Sequence, residues 1–413
     1  MTESCQALHL SSAIETIRTE ETTLSRPMID MAARLADQEG TVLLLSGGGL
    51  ASARYHILGF DPWLCLKGRG TDLTLTIDGQ VSRLEMNPLE ALGAIVHQYG
   101  CPPGRTLEAP LTAGLMGYLA YDLKDVLETL PRTSLERWLL PHLCFYAPSI
   151  ILVHDRQRGR TVRHEIVRRG QPAPDGHARL TGIEKAPPPD ESFAVDRDNL
   201  QSNFSRRAYE DAVRRIRAYI AAGDVYQVNL SQRFETSFQG SPFGFFRALY
   251  ERNPAPFFAF LNAGDHQLVS TSPERFLWLQ DSKVETRPIK GTRPRGQVPD
   301  EDRAMRAALE TSAKDDAELS MIVDLLRNDI GRVCRGGSVR VAAHKTVEAY
   351  ENVYHLVSIV EGELAPGRDG IDLVRAMGAD HEELKSILEF YGESRRGYAR
   401  PATRKWLETQ PAL

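Results

Sequence analysis

Three side chains in one stretch of this sequence have the types and spacing to do chemistry together. Lys290 stands in Arg-Pro-Ile-Lys-Gly-Thr, Glu274 precedes it in Ser-Pro-Glu-Arg-Phe, and Glu318 follows it in Ala-Glu-Leu-Ser-Met. A lysine amine is a nucleophile only once it has lost its proton, which cationic neighbours and partial burial promote. Arg287 and Arg293 are close to Lys290 in sequence, and an extended Arg-Pro-Ile run before a Gly291-Thr292 turn would lift the amine off a strand end. A glutamate that must give up a proton needs an apolar or anionic pocket to hold it protonated. Outside such a pocket, Glu274 reads as a surface carboxylate paired with Arg275. Glu318 falls one turn before Met321 and Ile322, so it borders the buried face of its helix. Asp315 and Asp316 read as solvated helix charges, and His355 as a strand histidine that either donates a structural hydrogen bond or joins the site.

These residues need a scaffold, and the chain is long enough to build a large one. With 413 residues, 42% hydrophobic and 25% charged, it has the composition of a soluble globular protein of two or three domains. A net charge of −5 gives no sign of a nucleic-acid or anionic-membrane partner. No apolar run reaches the length of a membrane span, and the N-terminal segment carries acids instead of a basic and then apolar leader, so a cytoplasmic location is expected. The five cysteines are scattered without zinc spacing, which fits reduced structural thiols.

Residues 14–39 read as short helical and polar patches. Thr41-Val-Leu-Leu-Leu-Ser-Gly-Gly-Gly reads as a buried strand ending in a turn; no Gly-Lys-Ser/Thr follows to make a phosphate loop. Alternating runs follow around Ala53, Leu73 and Val81, with Asp78-Gly79 as a hairpin signal, and further β-rich pieces around Gly114 and Ser149. Proline then dominates residues 170–204, which read as an irregular surface connection. Ser205 caps a helix whose face is Tyr209, Val213, Ile216 and Ile220, with Gly223 as its stop. An amphipathic strand is expected from Gly223 to Phe234, a long helix from Asp302 to Asp329, and strands around Val339 and His355.

The motifs Ser-Pro-Glu-Arg-Phe, Pro-Ile-Lys-Gly-Thr and Ala-Glu-Leu-Ser-Met, with Gly223-Asp-Val-Tyr-Gln-Val-Asn-Leu-Ser-Gln-Arg-Phe upstream, closely resemble the chorismate-utilising enzymes, and within them the aminodeoxychorismate synthase type. The resemblance implies an α+β fold, a large two-layer β-sandwich flanked by helices. Its regions would be an N-terminal part (1–169), a linker or long loop (170–204), a chorismate-binding catalytic part (205–377) and a divergent tail (378–413). It implies amination of chorismate to 4-amino-4-deoxychorismate, with ammonia from a separate glutamine amidotransferase subunit, for para-aminobenzoate and folate synthesis. Lys290 would attack C2 of the chorismate ring as the C4 hydroxyl leaves, and Glu274 would protonate that hydroxyl. His355 would share the catalytic site, Gly291 and Thr292 would bind substrate, and Glu318 would hold Mg²⁺. A tryptophan pocket would be formed by Ser46, Ser52, Arg54, Tyr55, Pro256 and Phe257. The rivals are an anthranilate or isochorismate synthase, against which Lys290 stands, and an inactive remnant that binds partner or tryptophan.

After Ile371-Asp-Leu-Val-Arg-Ala-Met the resemblance stops. The family continues with a glycine-rich turn, two more magnesium-binding glutamates and strands that grip the substrate carboxylates. Here 379–391 reads as an amphipathic helix before a basic, proline-containing tail. A frameshift near codon 378 or a shortened protein would each account for this. Poor solubility and no amination of chorismate are expected of the chain as it stands.

Overall fold

Runs of alternating apolar residues in this chain bury one face of each strand, so the backbone pairs into antiparallel sheets. The computed structural model describes residues 14–99, 110–127, 138–225 and 227–379. Among the described residues ten strands form the larger sheet, with Ile14–Thr22, Arg160–Arg168, Leu143–Asp155, Tyr55–Arg69, Val42–Leu45, Phe257–Asn262 and Gln267–Ser272 in spatial order. Five strands form the second: Arg275–Gln280, Lys283–Arg287, Val353–Glu363, Ile289–Pro294 and Arg340–Ala349. The expected mixed α+β fold with large antiparallel sheets is what the chain adopts.

Each sheet buries a face under helices. Leu43, Leu45, Leu58, Phe258 and Phe260 of the large sheet meet Met28 and Met31 of one helix and Phe243 and Phe246 of another. On the smaller sheet, Leu319, Ile322, Val323 and Leu326 of the helix Ala313–Gly331 pack with Leu356 and Val360 of the strand Val353–Glu363. Burying such side chains is worth about 1.5–3 kcal/mol each, which makes this helix a rigid floor for the strands it covers.

Several sequence expectations meet a different structure. Residues 14–22 are a strand, not helical patches, paired in register with Arg160–Arg168. Its polar edge position hides the period-2 pattern, because only Ile17 is buried. The proline-rich stretch is not irregular throughout: Gly176–Lys185 is a helix capped by Asp175, and its Leu180 and Ile183 enter the large core. The long helix is two, Pro299–Glu310 and Ala313–Gly331, because the Ser312 hydroxyl accepts from Asp315 N and starts a new N-terminus. The amphipathic strand from Gly223 reduces to Phe234–Glu235, since residues 227–233 have no ladder partner among the described residues. The expected helix at 379–391 lies outside the described residues except at its start.

Other readings hold. Asp78 (φ 49°) and Gly79 (φ 80°) form the two-residue turn between Asp72–Ile77 and Gln80–Glu85. Ser205 and Gly223 (φ 74°) cap the helix Arg206–Ala222, although its apolar face buries only Ala212 and Ile216 and leaves Ile220 exposed. No helix among the described residues is long and apolar enough to cross a membrane.

Two histidines of the large sheet, His164 buried and His56 partly buried, set an acid limit on this fold. Burial pushes His164 down to about 4, and burial first, then Arg156 and His154, does the same to His56. Both folded values lie below the unfolded value near ~6.5, so the unfolded chain binds more protons. Their contribution is therefore complete above ~6.5 and lost as pH falls toward 4, about 2 kcal/mol each after allowance for residual solvent. Urea midpoints measured from pH 7 to pH 4 should fall steeply, and replacing both by Gln should flatten that slope. An unchanged slope would remove these histidines from the explanation.

Candidate active site

The strand Ile289–Pro294 carries Lys290 and runs antiparallel to Val353–Glu363, with Ile289 opposite Val357 and Thr292 opposite His355. Three steps on one strand against two on the other make a β-bulge at Lys290-Gly291. Gly291 sits at φ +87°, a conformation that a side chain strains. The bulge takes Lys290 out of the regular alternation, which is how a strand end can present an amine. Gly291→Ala would add strain, and its Cβ would lie 2.9 Å from Asp315 Cβ. That substitution is expected to cost about 1–3 kcal/mol in urea unfolding.

Glu274 comes from the turn before Arg275–Gln280, where its own N–H donates to Ser272 Oγ at 3.1 Å. Its Oε1 accepts the Ile289 N–H at 2.9 Å, so the carboxyl is bound to the backbone immediately before Lys290. Glu274 is exposed, so the apolar pocket expected around it is not formed, and Arg275 pairs with Glu285 instead, at 2.6 Å.

The opposite side of the bulge is held by the histidine strand. Thr292 Oγ1 and His355 Nδ1 are 2.9 Å apart, and the Tyr350 ring meets the His355 ring edge-on at 4.9 Å. Burial lowers the His355 pKa, against which the Gly291 backbone and Glu348 act. At neutral pH the imidazole is neutral, suited to orient Thr292 and not to carry charge. Tyr350 also donates to Pro273 O (3.3 Å) and Glu348 Oε2 (3.2 Å), tying the Glu274 turn to the sheet.

Both arginines near Lys290 bind carboxylates: Arg287 pairs with Glu348, and Arg293 with Asp315 at 2.8 Å. Asp315 is thus no solvated charge. It is 5% exposed and lies against the bulge, while Asp316 pairs with Lys345 across the helix–sheet contact.

Glu318 lies one helical turn after Asp315, half-exposed, with Lys314 Nζ 3.3 Å away. Magnesium needs near-octahedral oxygen coordination, usually through one or two carboxylates. One carboxylate facing a lysine does not supply it, and no group of three His, Cys, Asp or Glu gathers among the described residues. Glu318 supplies one such ligand, and no step is routed through the ion.

The six positions expected to hold tryptophan do converge on one corner. Phe258 pairs with Leu45, which brings Phe257 beside Ser46, and Gly47 N donates to Ala255 O at 2.8 Å. The corner is largely self-satisfied. Ser46 Oγ donates to Tyr55 O (2.8 Å), Arg54 binds Asp155 (2.7 Å) and covers the Tyr55 ring, Pro256 is buried, and Ser52 lies in the adjoining turn. A cavity of about 620 Å³ opens next to it, lined by Leu45, His56, His154 and Tyr250 and by none of the six. Alternation puts Leu45 and His56 on the other face of their strands from Ser46 and Tyr55.

The family described as chorismate binding enzyme matches residues 66–377. Anthranilate synthase component 1 of Cereibacter sphaeroides is 35% identical over 395 residues, 89% of this chain and 79% of that protein. Aminodeoxychorismate synthase component 1 of Escherichia coli is 34% identical over 348 residues, 83% of this chain and 75% of that protein. The crystal structure of anthranilate synthase component I from Streptococcus pneumoniae superposes with a TM-score of 0.67 at 26% identity, over 84% of this chain and 78% of that one. A chain matched by that family over residues 66–377, with such relatives along most of its length, belongs to the chorismate binding enzymes.

Proposed function

We infer that this chain captures chorismate covalently through Lys290, the first half of an aminodeoxychorismate-synthase reaction. The observation that carries the reading is the Ile289 N–H bond to Glu274, which ties the carboxyl to the backbone one residue before Lys290 at the bulge. In this reaction the Lys290 nitrogen lone pair forms a bond to ring C2, both ring double bonds shift (C1=C2 to C6=C1 and C5=C6 to C4=C5), the C4–O bond breaks, and the amine gives up a proton to the base left by the departing hydroxyl's proton donor. Hydroxide is a poor leaving group; in this reading the carboxylates of bound chorismate supply the anionic surroundings that keep Glu274 protonated, and its proton lets the hydroxyl depart as water. Thr292, oriented by neutral His355, lies just past the amine on the same strand and suits a hydrogen bond to substrate. Gly291, at φ +87°, lets the backbone make the bulge that presents the amine.

Ammonia adding at C4 would complete the reaction and expel the lysine. A glutamine amidotransferase partner supplies it in this reading, and the names of the relatives, each a component 1, favour a second component. The relatives divide between two reactions, and Lys290 is what inclines this chain to aminodeoxychorismate. The chain is to be incubated with chorismate, with and without ammonium, and both the intact mass and the products followed. A mass gain of chorismate less one water supports the reading, whereas anthranilate formed without an adduct overturns it. Mg²⁺ at Glu318 and tryptophan at the Ser46 corner stay outside the proposed step.

A further inference from the structure

We propose that Asp315 and Arg293 are positioning residues that fix the Lys290 amine by locking the bulge at Gly291. This rests on the reading that Lys290 is the reacting group. Asp315 reaches up from the floor helix, 5% exposed, and its Oδ2 accepts from Arg293 Nη2 at 2.8 Å. The same guanidinium donates through Nη1 to Thr292 O, also at 2.8 Å. The space beside Gly291 is filled by Asp315 itself: a Cβ placed there would meet Asp315 Cβ at 2.9 Å and Cγ at 3.0 Å. Residues 291, 292 and 293 are therefore held by one carboxylate, by packing, through Arg293, and directly.

On the other side of Lys290, Ile289 N is held by Glu274. The amine thus sits on the one residue between two anchored points. Asp315 is anchored in turn, because it lies in the first turn of the helix Ala313–Gly331 with its own N–H on Ser312 Oγ. Its neighbours Leu319 and Ile322 are buried in the core. A buried ion pair is weak support for stability, since desolvation opposes the attraction, but it fixes geometry when both partners are rigid. A guanidinium that bridges a carboxylate and a carbonyl close to a reactive amine has that geometry.

The test reads amine accessibility in the full 413-residue chain without any substrate. Dilute acetic anhydride labels amines, and peptide mass spectrometry gives acetylation of half-buried Lys290 relative to exposed Lys185. Asp315→Ala, Asp315→Asn and Arg293→Met should raise that ratio by about threefold or more, as the strand opens locally. Arg293→Lys keeps the charge facing Asp315 but loses the fork that also reaches Thr292 O, so its ratio should fall between wild type and Arg293→Met. A pair that only stabilises the fold would lower the unfolding midpoint and leave the ratio unmoved, and an unmoved ratio in folded Asp315→Ala and Arg293→Met overturns the proposal. Should Asp315→Ala fail to fold, Arg293→Met decides alone, because Arg293 is partly exposed at the surface. Chorismate added to the same samples separates the two ideas. No adduct on the wild type defeats the chemical reading, while the labelling ratio still decides the clamp.

Discussion

Replacing Lys290 by Ala should abolish the chorismate adduct altogether, because no other residue of the bulge carries an amine. Lys345, the nearest in role, sits on the far side of Val353–Glu363 and is paired with Asp316. Loss of a covalent nucleophile removes a whole step, so the expected effect exceeds a thousandfold, about 4 kcal/mol or more in barrier. Lys290→Arg should fail equally, since a guanidinium stays protonated and cannot attack. Undiminished adduct or product in Lys290→Ala would end the assignment, and secondary-structure spectra matching wild type would show that folding is not the cause.

Glu274→Gln should leave chorismate binding nearly intact and slow adduct formation by about 10²–10⁴, the usual worth of a placed general acid. The amide keeps an acceptor for the Ile289 N–H, so the turn should survive, and only the transferable proton is lost. Rapid-quench measurement of adduct formation against chorismate concentration separates the rate from the apparent affinity. A variant that loses affinity and keeps its rate would make Glu274 a binding group, not an acid.

The fold was legible wherever one strand face was buried without interruption or a turn had its own chemistry. Thr41 to Ser46, the Asp78-Gly79 hairpin and the Ser205 and Gly223 caps needed only local rules. Edge elements were not legible. Residues 14–22 bury one side chain, so neither period shows, and pairing with a strand far along the chain decided the outcome. The helix Gly176–Lys185 hid between prolines because its tertiary seat under the large sheet outweighs weak local propensity.

Within the site, motif spacing pairs Glu274 with Lys290, and the structure bonds the Glu274 carboxyl to Ile289 N, one residue before Lys290. Asp315 was misread for a physical reason. An acid in an acidic first turn looks solvated until a strand from elsewhere lays an arginine on it. Arg287 and Arg293, expected to press charge on Lys290, are neutralised by Glu348 and Asp315, a cancellation that sequence distance cannot reveal. The positions read for tryptophan lie around one corner, but Arg54 there is engaged by Asp155 from a distant strand. Long-range carboxylates are what separate the site read from motifs from the site built by the fold.

The most direct measurement is a peptide map of the 413-residue chain after incubation with chorismate and no ammonia. Covalent capture predicts a mass gain of chorismate less one molecule of water on the peptide that contains Lys290, and on no other. Chorismate consumed with every peptide unmodified, or modification spread over exposed lysines such as Lys185 and Lys314, would contradict it.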